Sequence, residues 1–312
     1  MNFEKPILVL SACLDLQPVR YNGQLVKDEF VLKLRDFCQV ITVCPEVSIG
    51  LGVPREKIIV YVEDGIYKVS QPATGRDLTN ELNDFAEKFI ENLKEVDGFL
   101  LKSKSPSCGV SNTLVYKDSQ GLFFHSKGKG LFAMKVLKTF PLVPVEDEGR
   151  LKNPSIKDHF LTRLFSLAHW RVFSKQVNSI KDLYEFHRRY KYLLMVHSQQ
   201  MLRKMGKLLA NYSKEQDLQK IVNEYGEMFK LALCKKPTVG SHINVMMHIF
   251  GHFSDFINQS EKRHFLNVLQ KLREGKIPIT VPREILRSWA YRFDDKYVLS
   301  QVYLNPYPQE LE

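Results

Sequence analysis

Short apolar runs alternate with amphipathic segments through the first half of the chain, and this alternation constrains the fold most strongly. The apolar runs stand at residues 7–10, 40–43, 58–62 and 98–101, as in strands that are buried on both faces. Between them, residues 28–37 and 78–94 place apolar side chains three or four positions apart, which is helical spacing. The pattern predicts an α/β domain with a doubly wound, mostly parallel, Rossmann-like sheet.

The second half shows almost no strand pattern and predicts a mainly α-helical domain. Helical spacing runs through residues 182–211, 213–233, 241–257 and 260–273, and a final helix is predicted at 283–291. The polar stretch Glu146–Arg150, followed by Asn153-Pro154-Ser155, looks like a domain boundary. We therefore expect one domain at residues 1–150 and a second at residues 151–312.

The positive charge of the chain is confined to its second half. Residues 1–150 hold 19 basic and 20 acidic side chains, whereas residues 151–312 hold 26 and 15, which accounts for the net charge of +10. A one-sided basic domain joined to a neutral one predicts a module that brings a polyanion to a catalytic module. A basic domain with no partner beyond solvent is the alternative.

The cysteine usage and the start of the chain bear on the compartment. Five cysteines in 312 residues, without a cationic and apolar leader at the N-terminus, argue against secretion and against a disulfide framework. No apolar run approaches the roughly 20 residues that a bilayer span needs. We expect a cytoplasmic protein with free thiols and no membrane partner.

Three of the cysteines stand where a doubly wound sheet binds its ligands. Cys13, Cys44 and Cys108 each follow the carboxyl end of a predicted strand, so we expect them to converge at one edge of the sheet. Cys38 and Cys234 are expected to be ordinary small buried residues. Three thiolates without a fourth ligand leave open a catalytic zinc ion or an iron–sulfur cluster with one iron free to act as a Lewis acid.

Polar side chains surround these cysteines. Glu46 lies two residues after Cys44 and is the only carboxylate beside a cysteine that could serve as a general base. A carboxylate in the first turn of a helix is the alternative interpretation of Glu46. The remaining polar neighbours are Ser11, Lys102, Ser103, Lys104, Ser105 and Ser107.

Motifs in one order make residues 5–148 resemble the thiouracil desulfurase family. They are Ser11-Ala-Cys13-Leu14, Val19-Arg20-Tyr21-Asn22-Gly23, Cys44-Pro45-Glu46, Thr74-Gly75-Arg76-Asp77 and Lys102-x-x-Ser105-Pro106-Ser107-Cys108-Gly109. The second half resembles a helical domain often fused to that family, through Phe186-His187-x-x-Tyr190, Met246-Met247-His248 and Leu286-x-x-Trp289. The two-domain arrangement is similar to that of enzymes that remove sulfur from 4-thiouridine in transfer RNA.

The resemblance implies a cofactor, a reaction and a set of site residues. Cys13, Cys44 and Cys108 would hold a [4Fe-4S] cluster whose open iron binds the sulfur of a thiolated pyrimidine. Soft iron prefers that sulfur to a carbonyl oxygen. Water activated by Glu46 would then replace the sulfur, with Ser105 relaying a proton and Lys102 stabilising negative charge. The expected substrate-binding residues are Ser11, Arg20, Tyr21, Asn22, Arg76, Lys104 and Ser107.

Basic residues interleaved with aromatic residues in the second half are typical of phosphate contacts supplemented by stacking. The residues expected to contact RNA are Arg188, Arg189, Lys191, Arg203, Lys204 and Lys207. The expected partners are tRNA that contains 4-thiouridine, or thiolated pyrimidine nucleotides. Two alternatives stay open: a non-catalytic iron–sulfur or redox sensor with a nucleic-acid-binding domain, and a tRNA sulfurtransferase.

Overall fold

The computed structural model describes residues 3–213 and 215–312. It divides into two compact units, of which the first ends at Ala168 and also includes Glu310–Glu312, and the second spans His169–Gln309. The division falls inside a helix at Pro154–Phe173. The assignment of residues 1–150 and 151–312 to two functional parts stays a prediction.

The strands of the first unit form two sheets. In chain order they are β1 (Ile7–Ser11), β2 (Gln39–Val43), β3 (Ile59–Glu63), β4 (Ile66–Gln71), β5 (Arg76–Asp77), β6 (Gly98–Leu101), β7 (Thr113–Tyr116), β8 (Phe124–Gly128) and β9 (Val145–Asp147). One sheet is entirely parallel with the order β2-β1-β6-β9, and the other is mixed with the order β5-β4-β3-β7-β8. The predicted α/β class with a mostly parallel sheet is confirmed.

Three longer helices accompany these strands: α1 (Glu29–Asp36), α3 (Thr79–Glu91) and α4 (Leu131–Thr139), while α2 (Pro45–Ser48) is a single turn. Asp28 caps α1 by accepting a hydrogen bond from the Val31 amide. Apolar side chains of α3 and α4 pack with the parallel sheet in one core cluster that contains Val9, Phe99 and Phe132. This packing buries the sheet that carries the predicted ligands.

The predicted strand at residues 58–62 lies in the second sheet rather than beside β1 and β2. Only the four-residue α2 separates β2 from β3, so no crossover helix returns the chain to the first sheet. Instead β3 turns directly into antiparallel β4 through Asp64 and Gly65, whose φ angles of 50° and 76° suit a tight hairpin. The predicted strand therefore exists, and it pairs in the mixed sheet.

The second unit is helical, as predicted. It begins in α5 (Pro154–Phe173) and continues with α6 (Ile180–Ala210), α7 (Leu218–Cys234), α8 (Val239–Gly251), α9 (Gln259–Arg273), α10 (Thr280–Arg292) and the short α11 (Lys296–Leu299). Helix α6 is interrupted at Ser198, where φ is −160° and ψ is 100°. The core of the second unit is aromatic: Phe186 stacks on Tyr190 at 4.4 Å between ring centroids, and Trp170 stacks on Tyr225 at 5.3 Å. Among the described residues, no helix is both long and apolar enough to cross a bilayer.

Candidate functional site

The three motif cysteines emerge from neighbouring strands of the parallel sheet. Cys13 follows β1, Cys44 stands between β2 and α2, and Cys108 lies in the loop after β6. Strand β1 pairs with β2 on one side and with β6 on the other. The strand order reverses between β1 and β6, and doubly wound sheets bind their ligands outside the carboxyl ends of the strands at such a point.

The thiols lie near enough to act on each other's charges. The pKa of Cys13 is raised to about 12, mainly by burial and in addition by the charge of Cys44. Burial also raises the pKa of Cys108 above its usual range, and the charges of Cys13 and Cys44 add to that rise. All three thiols are free. Because their charges act on each other, the three cysteines predicted to converge lie near one another.

Close backbone packing holds the Cys108 loop in place. The amides of Gly130, Leu131 and Ala133, at the start of α4, donate to carbonyls of residues 106, 107 and 109 over 2.8–3.2 Å. A Cβ on Gly130 would meet the Pro106 carbonyl oxygen at 2.7 Å, so only glycine allows this approach. The loop itself supplies the acceptors that the first turn of a helix needs.

Glu46 occupies the centre of a small hydrogen-bond network beside these thiols. Its Oε1 accepts a hydrogen bond of 2.7 Å from the Ser107 hydroxyl, and the Ser105 hydroxyl lies 3.5 Å from the same atom. The two hydroxyls are 3.0 Å apart. The charge of Glu46 also acts on Cys108 and on Cys13, so the carboxylate is within electrostatic reach of the cysteines.

Arg55 holds the other side of Glu46 and was missed by the sequence reasoning. Its Nε and Nη2 donate to Glu46 Oε2 at 2.9 and 2.6 Å, and its Nη1 donates to the carbonyls of Val19 and Gly52. Its backbone amide donates to the Tyr21 carbonyl at 2.7 Å. Arg55 therefore ties the loop that carries the Arg20-Tyr21 motif to the carboxylate.

Lys102 is paired with a second residue that sequence reasoning missed. Its ammonium group forms an ion pair with Glu148 and donates to the Ser103 hydroxyl at 3.0 Å. Lys102 lowers and Glu148 raises the pKa of Cys13, so both charges reach that thiol. Glu148 directly follows β9 and was interpreted only as part of a polar boundary; its place at the carboxyl end of a strand was the signal that could have identified it.

The other predicted substrate-binding residues are placed differently from one another. Ser11 is buried and hydrogen bonds both the Lys102 amide and the Cys108 thiol. Lys104 is exposed, with a left-handed φ of 59°. Asn22 is exposed in a turn, where it pairs with Gln24.

Two further members of that set lie in opposite surroundings. The cations of Arg20 and Lys57 lie 5.6 and 5.2 Å from the centroid of the Tyr21 ring. Arg76 is exposed on β5 in the second sheet and pairs with Glu81. No hydrogen bond or ion pair among the described residues joins Arg76 to the Glu46 network.

The residues predicted to contact RNA all lie on α6. Five of the six are exposed, and Arg189 is half-buried. The aromatic residues interleaved with them, Tyr190 and Tyr192, are buried, so these two rings belong to the core.

His187 and His197 are partnered by the Tyr225 hydroxyl and the Lys235 carbonyl, and His252 by Asp295. Within residues 3–213 and 215–312, no group of three or more His, Cys, Asp and Glu side chains is arranged to hold a metal ion.

Comparison with known proteins separates the two halves of the chain. Residues 8–148 match the family model described as 2-thiouracil desulfurase, and residues 191–308 match one described as a protein of unknown function, DUF1722. The uncharacterized protein YbbK of Bacillus subtilis (strain 168) is 32% identical over 111 residues, covering 33% of this chain and 73% of that protein. The uncharacterized protein YbgA of Escherichia coli (strain K12) is 26% identical over 152 residues, covering 49% and 90%.

A solved structure is also similar to the chain. It is the [4Fe-4S]-dependent thiouracil desulfidase TudS, with 28% identity and a TM-score of 0.38, and the match covers 47% of this chain and 94% of that one. The family resemblance predicted from the motifs is confirmed by the family model. Through residues 8–148, the chain belongs to the 2-thiouracil desulfurase family.

Proposed function

We propose that the chain is an iron–sulfur-dependent desulfidase that removes sulfur from 4-thiouridine in tRNA or from thiolated uracil nucleotides. The observation that carries the proposal is the Glu46 carboxylate, bonded to the Ser105 and Ser107 hydroxyls, within electrostatic reach of three thiols. In the reaction, the pyrimidine carbon gains the oxygen of water and loses its sulfur as sulfide. No electrons are exchanged, so uridine and sulfide are the products.

Cys13, Cys44 and Cys108 are the proposed ligands of a [4Fe-4S] cluster. The chemistry of the donor set fits a cluster rather than a single metal ion. The three free thiols interact at one edge of the sheet but are not arranged around one metal position among the described residues, and sulfur is the ligand that iron–sulfur clusters use. A cluster with three protein ligands supplies an iron with an open position that binds and polarises a thiocarbonyl group.

The side chains around the cysteines divide the remaining work. Glu46 accepts the proton of the attacking water, and Arg55 fixes the direction of its carboxylate. Ser107 and Ser105, which are 3.0 Å apart, pass a proton to the departing sulfur or hold the base. Lys102 supplies positive charge from within its pair with Glu148, and the Arg20-Tyr21 loop forms a wall of the pocket.

The helical unit is the proposed RNA-binding part. Residues 169–309 contain 23 basic and 12 acidic side chains, and the cations on α6 are mostly exposed. Phosphate contacts of this kind make binding strongly dependent on salt. We expect the affinity for tRNA to fall steeply as salt rises, and to fall when Arg203, Lys204 and Lys207 are all replaced by Gln.

The decisive experiment is turnover by the anaerobically reconstituted full chain. Incubation with tRNA that contains 4-thiouridine, and separately with 4-thiouridine monophosphate, is followed by loss of thiocarbonyl absorbance and by sulfide release. Glu46→Gln should load the same amount of iron but lose about 10²–10⁴-fold in kcat. Glu56→Gln is the matched control, because Glu56 is an exposed carboxylate in the same unit.

Each alternative has its own outcome in this experiment. Iron loading without turnover on either substrate would favour a sensor. In a separate incubation with sulfide and tRNA that lacks 4-thiouridine, gain of sulfur by the tRNA would favour a sulfurtransferase. Unchanged turnover in Glu46→Gln would refute the role of that carboxylate.

A further inference from the structure

A cavity of about 570 Å³ opens on the helical unit beside α6 and α11. Its lining includes Lys181, Tyr184, Arg188 and Lys191 from α6, and Tyr297 from α11. The volume lies in the range of small-molecule sites, which is about 300–1,000 Å³. All of these residues belong to the second unit, and none of them is a residue of the cysteine site.

The charge of the cavity is positive. Arg188 is paired with Glu185, with donor–acceptor distances of 2.8 and 2.7 Å. Lys181 and Lys191 are exposed, and neither forms an ion pair within the described part of the chain. Burial lowers the pKa of the neighbouring His187 to about 4, so this histidine is neutral at pH 7. The ammonium groups of Lys181 and Lys191 are therefore available to bind an anion.

One of the two tyrosine rings of the cavity is open to stacking, and the other is already covered. Tyr297 is fixed by its stacked contact with His252, with centroids 5.5 Å apart, and Arg188 and Lys191 lie 5.4 and 6.0 Å from its centroid. The side chain of Tyr184 is 45% exposed. No aromatic or cationic group within residues 3–213 and 215–312 contacts its ring, so a planar ligand can lie against it.

Cations without a carboxylate partner, beside an open aromatic ring, match one ligand chemistry. A free phosphate ion would use the lysines but not the rings, and an apolar ligand would leave the lysines without a partner. A nucleotide uses both, because its base stacks on tyrosine and its phosphate pairs with lysine. Paired bases are stacked inside a duplex, so the base that enters must be unpaired.

We infer that this cavity binds a single nucleotide, with its base against Tyr184 and its phosphate held by Lys181 or Lys191. The nucleotide is either an unpaired residue of RNA or a free nucleoside monophosphate. The inference deepens the proposed function, since it rests on RNA binding by the helical unit for its RNA source. It also stands alone for the free nucleotide.

The test measures binding by the full chain without turnover. Uridine monophosphate is titrated calorimetrically, and fluorescently labelled tRNA is titrated by anisotropy at several salt concentrations. Tyr184→Ala should weaken binding about five- to hundredfold, the range of stacking on a single aromatic ring. Lys191→Gln should lower the slope of log K against log salt by about 0.7.

Matched controls come from exposed residues on other helices. Tyr291→Ala on α10 removes a tyrosine that is 70% exposed, and Lys271→Gln on α9 removes an exposed cation. Neither control should change binding. Circular dichroism of each variant confirms that the helices are retained.

The outcomes separate this inference from the proposed function. Weaker binding of both ligands by Tyr184→Ala supports the site with RNA as its source, and weaker binding of uridine monophosphate alone supports it with a free nucleotide. If Tyr184→Ala and Lys191→Gln leave the binding of both ligands unchanged, the inference is overturned. If the triple change at Arg203, Lys204 and Lys207 still weakens tRNA binding, the proposed function survives that failure. Binding of uridine monophosphate without binding of tRNA would refute the RNA role and leave the site standing.

Discussion

Removing Arg55 tests whether Glu46 is held as a buried ion pair. The side chains of Arg55 and Glu46 are only 5% and 13% exposed. In Arg55→Met, the carboxylate loses both nitrogen donors, and the carbonyls of Val19 and Gly52 lose theirs. The hydrophobic side chain fills much of the same volume, so the main effect is an uncompensated charge.

The burial of the pair sets the expected magnitude. Breaking a buried pair by removing one partner costs about 3–5 kcal/mol, whereas an exposed pair contributes at most about 1 kcal/mol. Because both side chains are nearly buried, we expect Arg55→Met to lower the free energy of unfolding by about 3–5 kcal/mol. Glu46→Gln combined with Arg55→Met should cost less than the sum of the single changes, by up to about 3 kcal/mol.

The assay must report on the first unit alone. Both tryptophans, Trp170 and Trp289, belong to the helical unit, so their fluorescence does not follow the unit that contains Arg55. Cys38 is a better reporter, because its thiol is buried in the first unit and burial raises its pKa to about 12. Urea unfolding is followed by pulsed alkylation of Cys38, read by peptide mass spectrometry. A loss below about 1 kcal/mol, or full additivity in the double variant, would refute a buried and coupled pair.

Three further predictions address the ligands, the helical core and its pH dependence. Cys→Ala at Cys13, Cys44 or Cys108 should abolish the loading of about four irons per chain. The same change at the control positions Cys38 and Cys234 should leave the loading intact, as measured by iron and sulfide analysis. Gly226→Ala should destabilise the helical unit by about 1–3 kcal/mol, because a Cβ there would lie 2.7 Å from ring atoms of Trp170. At Gly251 an added Cβ meets nothing within 4 Å, so Gly251→Ala should be neutral or stabilising. Both variants are measured by urea unfolding followed by tryptophan fluorescence. Burial lowers the pKa of His169 and of His187 to about 4, so the unfolded chain binds protons that the folded chain does not; stability is complete above pH 6.5 and falls towards pH 4 by up to about 3 kcal/mol per histidine. A urea midpoint that does not change between pH 7 and pH 4.5 would contradict this.

The sequence predicted those strands and helices whose buried residues form a simple pattern of apolar side chains. Strands β1, β2 and β6 are short apolar runs, and they were found within one residue of their bounds. Helix α5 was missed because its buried side chains lie around much of its circumference, with Phe160, Leu161 and Leu164 on one side and Thr162 and Ser166 on the other. A helix buried in this way loses the amphipathic signal. Strand β9 is three residues long and ends in acidic side chains, so it resembled a boundary.

Convergence of the site residues was predictable where strand order alone determines it. Parallel strands bring their carboxyl ends to one edge, so the positions of Cys13, Cys44 and Cys108 just after predicted strands were enough to expect them near each other. The partners of Glu46 and Lys102 were not predictable in this way. Arg55 and Glu148 reach the site by side chains from separate loops, and no periodicity in the sequence records such a contact.

The contact between the Cys108 loop and the start of α4 has a consequence for biosynthesis. Carbonyls at residues 106, 107 and 109 are held by amides at residues 130–133, which leave the ribosome some twenty residues later in the chain. A nascent chain that has exposed Cys108 but not yet α4 lacks the donors that order the loop. The backbone support of the third thiol is therefore completed only after α4 has been translated, whereas the contacts of the loop with Glu46 and Thr113 can form earlier.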